Sequence, residues 1–216
     1  MTGPIRILLV DDQELIRMGF RLVLEAEPDL TVVGEAGDGE AAVRVARAVE
    51  PDVVLMDVRM PGVDGIAATA QIVTALPRTR VLVLTTFDLD EYAFGALEAG
   101  ASGFLLKDAQ RAELVAAIRA VHRGDATLAP RATRLLIEAY TAPAPRTPPA
   151  GVAELTERER EVFVAIGRGL TNTEIARELF LSESTVKTHV GRILTKLDAR
   201  DRVQLVILAH RAGLVS

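Results

Sequence analysis

The sequence predicts an α/β fold, a doubly wound five-stranded parallel sheet of order 2-1-3-4-5, followed by a small all-α helix-turn-helix domain. Three observations predict it. Short β-rich apolar runs alternate with helix-period segments over residues 1–125, a proline-rich stretch interrupts the chain, and beyond it strand signals vanish while helix start signals multiply.

The strands are read from "IRILLV", "TVVGE", "DVVLMD", "RVLVLT" and "SGFLL", and the helices near residues 13–26, 39–49, 64–75, 90–99 and 111–122. Near-continuous apolar strands with helical crossovers imply a parallel sheet covered on both faces. Right-handed crossovers make it doubly wound, and such sheets bind ligands outside the carboxyl ends of their strands. The stretch "TAPAPRTPPAGVA" then denies both helix and sheet, and reads as a stiff tether. After it, "TERE" from Thr156 and "TNTE" from Thr171 are capping boxes, Ser182 is a third N-cap, and Asp201 opens a last helix. The expected domains are 1–125, a linker over 126–153, and 154–216.

The net charge of −5 conceals an asymmetry: residues 1–125 carry −8, residues 126–153 carry +2 and residues 154–216 carry +1. Two differently tasked pieces share the chain. Cysteine is absent, which excludes disulfide frameworks and thiolate metal sites and suits a reducing compartment. With no apolar run of membrane-spanning length and no signal pattern, a cytoplasmic location is expected.

The carboxyl ends of the strands carry Asp11 and Asp12, Asp57, then Thr85 and Thr86, and Lys107 follows the fifth strand. In the order 2-1-3-4-5 the first and third strands are neighbours, so three carboxylates converge and require a cation. An all-oxygen donor set favours magnesium. No glycine-rich loop follows the first strand, which disfavours a nucleotide site. Carboxylates, a lysine and a hydroxyl are the parts for moving a phosphoryl group onto a carboxylate, with Asp57, single and central, as the nucleophile. Singly, an Asp after a strand is more often a helix cap and a lone lysine is more often solvated; their combination on separate strands favours a site.

"VDD", "LMDVRMPGVDG", "VLTT" and "GFLLKD" resemble the CheY-like receiver domain of bacterial two-component response regulators, over residues 4–123. The resemblance implies that Asp57 accepts phosphate from a sensor histidine kinase. It also implies that Asp12, Asp57 and the backbone carbonyl of Arg59 hold magnesium, with Asp11 supporting through water. Thr85 and Phe104 match the family's switch pair, with Phe104 turning inward on phosphorylation, and Lys107 matches its phosphate-binding lysine. Many receivers have proline after that lysine, where this chain has Asp108.

In "SESTVKTHVGRILTKL" the residues Val186, Val190, Ile193 and Leu197 form one apolar stripe. Lys187, Thr188, Gly191, Arg192 and Thr195 point away from it, flanked by Thr185, His189 and Lys196. A small, polar, basic face suits a major groove, whereas a solvated face on a bundle is the plainer reading. "LTERERE", "GLTNTEIA" and "STVKTHV" resemble the LuxR-type DNA-binding domain over residues 154–216, and the whole chain resembles the NarL/FixJ family of transcriptional regulators. Base reading is then expected from Lys187, Thr188 and Arg192, and phosphate contacts from His189 and Lys196, with Thr185 at the edge. The last helix, "DRVQLVILAHRA", carries more apolar residues than one amphipathic face. That surplus points to a homodimer through Val203, Val206 and Ile207 on paired half-sites of double-stranded DNA, as relatives dimerise, or alternatively to a fully buried helix.

The expected function is a transcriptional regulator switched by phosphorylation at Asp57, and not an enzyme. A phosphatase is disfavoured because Arg59 stands where such enzymes commonly place a second Asp. A ligand-controlled or phosphorylation-independent regulator is disfavoured by the full acidic set.

Overall fold

The computed structural model describes residues 3–85, 95–124, 127–128 and 151–215. The chain divides into two compact units, Met1–Ala129 and Pro130–Ser216.

The first unit is a parallel sheet with β1 (Ile5–Val10), β2 (Leu30–Ala36), β3 (Val53–Asp57), β4 (Arg80–Thr85) and β5 (Gly103–Leu106) in the expected order 2-1-3-4-5. A short sixth strand, β6 (Thr127–Leu128), extends it by pairing parallel to β5. These two residues were expected in the linker; they belong to the sheet because Gly103 and Phe104 leave an edge that they fill. The helices are α1 (Glu14–Glu25), α2 (Gly39–Val49), α3 (Gly65–Ala75) and α4 (Arg111–His122), and residues 95–98 are also helical. The rest of the helix expected over 90–99, Thr86, and most of the proline-rich tether lie outside the described residues.

The central strand β3 is buried along its whole length, as both-sided helix cover demands. Its register sets Val10 beside Met56 and Asp57 beside Leu84, while Thr85 pairs with Leu106. The carboxyl ends of β1, β3, β4 and β5 therefore finish at one level. One core cluster joins Ile7, Leu9, Leu55, Leu82, Leu84, Leu105, Leu114 and Ile118 beneath that rim.

In the second unit a short 3-10 turn (Val152–Glu154) precedes α5 (Glu157–Gly167), α6 (Asn172–Glu178), α7 (Glu183–Lys196) and α8 (Arg202–Arg211). The capping boxes form as read: the Thr156 and Thr171 hydroxyls accept from the N–H groups of Glu159 and Glu174, whose carboxylates accept from the cap N–H groups. Ser182 and Asp201 accept from Thr185 and Gln204. Between α6 and α7, Phe180 takes a left-handed φ of 55° and is almost fully exposed.

Of the two readings of α8, a homodimer face through Val203, Val206 and Ile207 or a fully buried helix, burial favours the second. Val203, Val206 and Ile207 are 0%, 3% and 2% exposed within this chain, together with Leu205 and Ala209. Gly167 has no Cβ, and one built there would stand 2.6 Å from the Ala209 Cβ, so α5 and α8 approach closely through it. His210 Nε2 bonds the Gly167 carbonyl at 3.0 Å. A helix gripped on several sides has room for the surplus apolar residues, and they cannot also be a dimer face.

Candidate phosphoacceptor site and DNA-binding helix

At the rim of the sheet, Asp11 and Asp57 are 2% and 5% exposed and Asp12 is exposed. One carboxylate oxygen of each lies within 4.8 Å of the others. Lys107 stands between them, its Nζ 2.6 Å from Asp11 Oδ2 and 2.8 Å from Asp57 Oδ2. Lys107 thus bridges the two buried carboxylates with a single ammonium. Burial raises the Asp57 carboxyl above its ordinary pKa despite Lys107, and the Asp11 charge adds to the rise. Burial alone would depress the Lys107 ammonium, but the two carboxylates outweigh it and raise its pKa.

The backbone aims these groups. Asp57 is the last residue of β3, and α3 starts so close behind it that a Cβ on Gly65 would meet the Asp57 carbonyl at 1.9 Å. A backbone hydrogen bond from Arg59 favours the ionised Asp57. Lys107 is placed by its own N–H, which donates to the Thr85 carbonyl at 2.8 Å, and the turn closes through Ala109 N–H on Leu106 O where Asp108 replaces proline. Thr85 is buried at the end of β4, and Phe104 is buried beside Val83 at 3% exposure. Thr85 and Phe104 thus lie on neighbouring strands, with the Phe104 ring inside the unit.

Three carboxylates that share one ammonium, all offering oxygen, fit a hard divalent cation. Asp11, Asp12 and Asp57 could hold it.

On α7, Val186 and Ile193 are fully buried and Leu197 nearly so, while Val190 is half-buried. Lys187, Thr188, Gly191, Arg192 and Thr195 are exposed, and Thr185 and His189 are intermediate. His189 Nδ1 is buried without a partner among the described residues, which leaves Nε2 as the nitrogen available to an outside group. Lys196 is corrected. Its Nζ bonds Glu159 Oε2 at 2.7 Å and the Glu154 carbonyl at 3.0 Å, so it clamps α7 to the start of α5. A cation held by a buried carboxylate is not available to grip a DNA phosphate.

Sequence reasoning missed two residues. Glu159 was seen only as a capping-box partner, and nothing local signals its second bond across 37 residues. Arg17, whose Nη1 donates to the Asp11 carbonyl at 2.7 Å, lies a turn inside α1 and reads as an ordinary surface arginine.

Residues 7–119 match the response regulator receiver domain, and residues 153–209 match the bacterial regulatory proteins of the luxR family. The uncharacterized transcriptional regulatory protein YxjL of Bacillus subtilis is 49% identical over 213 residues, 98% of this chain and 97% of the relative. The transcriptional regulatory protein LiaR of the same organism is 44% identical over 212 residues, 98% of this chain and 100% of the relative. Among solved structures, the response regulator ChrA of a heme-sensing two-component system aligns with a TM-score of 0.55 at 38% identity, covering 99% of this chain and 100% of that one. With a receiver sheet, its acidic rim and a capped helix-turn-helix on one chain, the protein belongs to the LuxR/NarL family of two-component response regulators, which are transcriptional regulators.

Proposed function

We propose that Asp57 is the phosphoacceptor, that magnesium is its cofactor, and that a sensor histidine kinase is its donor. The single observation that carries this is the gathering of Asp11, Asp12 and Asp57 within 4.8 Å around Lys107. The Asp57 carboxylate attacks the phosphorus of a phosphohistidine; the P–N bond breaks, an acyl phosphate forms, and the imidazole leaves. Lys107, already 2.8 Å from Asp57 Oδ2, follows the negative charge onto the phosphoryl oxygens, and Thr85 supplies a hydroxyl from the neighbouring strand. Bound magnesium, held by Asp12, Asp57 and the Arg59 carbonyl with Asp11 in support, supplies the neutralisation that lets an anionic donor approach. Leu15, Met18 and Leu22 form an exposed apolar row on α1, directly after Asp12, and favour a protein donor that docks there.

The output is DNA binding by α7, with Lys187, Thr188 and Arg192 reading bases and Thr185 and His189 at the groove wall. Homodimerisation on activation remains part of the proposal, without Val203, Val206 and Ile207. The receiver is taken as residues 1–125 and the DNA-binding domain as 154–216. The test is phosphorylation by a small-molecule phosphodonor, read on a phosphate-affinity gel. Wild type shifts only with magnesium and Asp57→Asn does not shift; an equal shift for Asp57→Asn overturns the assignment.

A further inference from the structure

The peptide units that carry Asp11 are tied on every side. Its N–H donates to the Ala36 carbonyl at 3.2 Å, its Oδ1 accepts from the Gln13 N–H at 3.0 Å, and its carbonyl accepts from Arg17 Nη1 at 2.7 Å. The last bond differs from the others because it comes from a charged side chain. The N-cap of α1, Gln13, makes no side-chain cap bond, so the entry to this helix lacks the tie that Asp38 and Asp64 give α2 and α3. Arg17 replaces it, reaching from the first turns of α1 back to the acidic loop.

The same guanidinium is held in turn. Its Nε donates to Glu35 Oε2 at 3.2 Å, on β2, and its side chain is only 16% exposed. Glu35 is gripped on its other oxygen by Arg21 at 2.7 Å, and Arg21 also pairs with Glu25. Arg17 and Arg21 thus both fasten α1 to β2, but only Arg17 touches the segment that carries two of the three carboxylates.

We infer that Arg17 is a positioning residue for the acidic site: by fixing the Asp11 carbonyl it aims the Asp11 and Asp12 carboxylates at the place where Asp57 lies. This rests on the reading of that site as a divalent-cation site. Outer partners that orient ligands commonly contribute 10- to 100-fold to metal affinity without touching the ion. A charge-assisted bond to a carbonyl within the ligand segment is such a partner.

The test is a calorimetric titration of the full-length protein with magnesium chloride, without phosphodonor, for wild type, Arg17→Ala, Arg17→Lys and Arg21→Ala, with unfolding midpoints measured in EDTA. Arg21→Ala subtracts the fastening of α1 to β2, which both arginines share. The expected result is that Arg17→Ala weakens magnesium binding by about tenfold or more, while Arg21→Ala stays within about twofold of wild type although its midpoint falls comparably. Arg17→Lys keeps one donor and recovers part of the affinity. Equal affinities for Arg17→Ala and wild type, or equal losses for Arg17→Ala and Arg21→Ala, overturn the inference. If Arg17→Ala does not fold, Arg17→Lys carries the comparison, and its matching Arg21→Ala is the overturning result. Wild type that binds no magnesium overturns the site reading itself, a different failure from a wild type that binds and an Arg17→Ala that binds as well.

Discussion

Each half of the molecule holds one lysine against buried carboxylate, and the two pairs do opposite things. Lys196 meets one carboxylate, Glu159, which also receives the Thr156 N–H; every charge there has its partner, and the lysine first, then the cap, hold the Glu159 pKa down to about 2. Lys107 meets two carboxylates with a third within reach, so one ammonium faces three acids, and burial first, with the Asp11 charge adding to it, leaves Asp57 with a raised pKa. A satisfied buried pair is architecture, whereas an acidic surplus is a place for something still to arrive.

The sharpest way to break this comparison is to remove each lysine. If Lys107 follows the phosphoryl charge as proposed, Lys107→Ala should lower the rate of transfer to Asp57 by about 10²- to 10³-fold. Single-turnover phosphorylation at saturating magnesium measures it. Lys196→Met should leave that rate unchanged and destabilise the helical unit, because Glu159 stays buried with one partner fewer. Losing one member of a fully buried pair costs roughly 3 to 5 kcal/mol, but Lys196 is itself about one-third exposed, so about 1 to 2 kcal/mol is expected from denaturant unfolding. An unchanged midpoint would make Lys196 a free surface cation after all.

Acid should separate the same sites. Glu159 has a folded pKa of about 2 against an ordinary 4.5, so its contribution is fully present above the unfolded value and disappears as pH falls through the folded one. Circular dichroism of the full-length chain between pH 5 and pH 2 should show wild type losing stability over this window and Glu159→Gln, less stable at neutral pH, losing less of it. Parallel acid curves for the two proteins would place the titration elsewhere.

A third contrast concerns Lys187, which is exposed on α7 where Lys196 is engaged. Lys187→Ala should weaken binding to the preferred operator by about 1 to 3 kcal/mol and random DNA little, in competition titrations at two salt concentrations. Equal weakening of both would make it a backbone contact and move sequence reading to Thr188 and Arg192.

What was legible in the sequence was what is local or periodic. The strands, the caps at Thr156, Thr171, Ser182 and Asp201, and the outward arc of α7 each follow from neighbours within a few residues, and the structure places them as read. The acidic cluster was legible for a different reason: a doubly wound sheet brings strand ends together by topology, so Asp11, Asp12 and Asp57 needed no knowledge of packing. What escaped depends on which helix faces which. Glu159 finds Lys196 only once α5 and α7 cross, and the apolar surplus of α8 looked like a dimer face because nothing in the sequence says that Gly167 lets α5 come close. Arg17 escaped because its partner is a backbone carbonyl, which carries no residue-type signal.

Glycine offers the smallest and cleanest contrast between the halves. A Cβ on Gly65 would stand 1.9 Å from the Asp57 carbonyl, so a side chain there must displace the backbone of Asp57 itself. A Cβ on Gly191 meets nothing within 4 Å, although this residue sits in mid-helix on the exposed face of α7. With no strain to oppose it, the backbone entropy that glycine loses in a helix should be recovered by alanine, and Gly191→Ala should stabilise the protein by about 0.5 to 1 kcal/mol. Denaturant unfolding measures the gain, and operator titration tells whether it has a use. If Gly191→Ala is more stable but binds its operator more weakly, the empty space over Gly191 is filled by DNA in the complex; if both improve, the glycine serves neither fold nor groove.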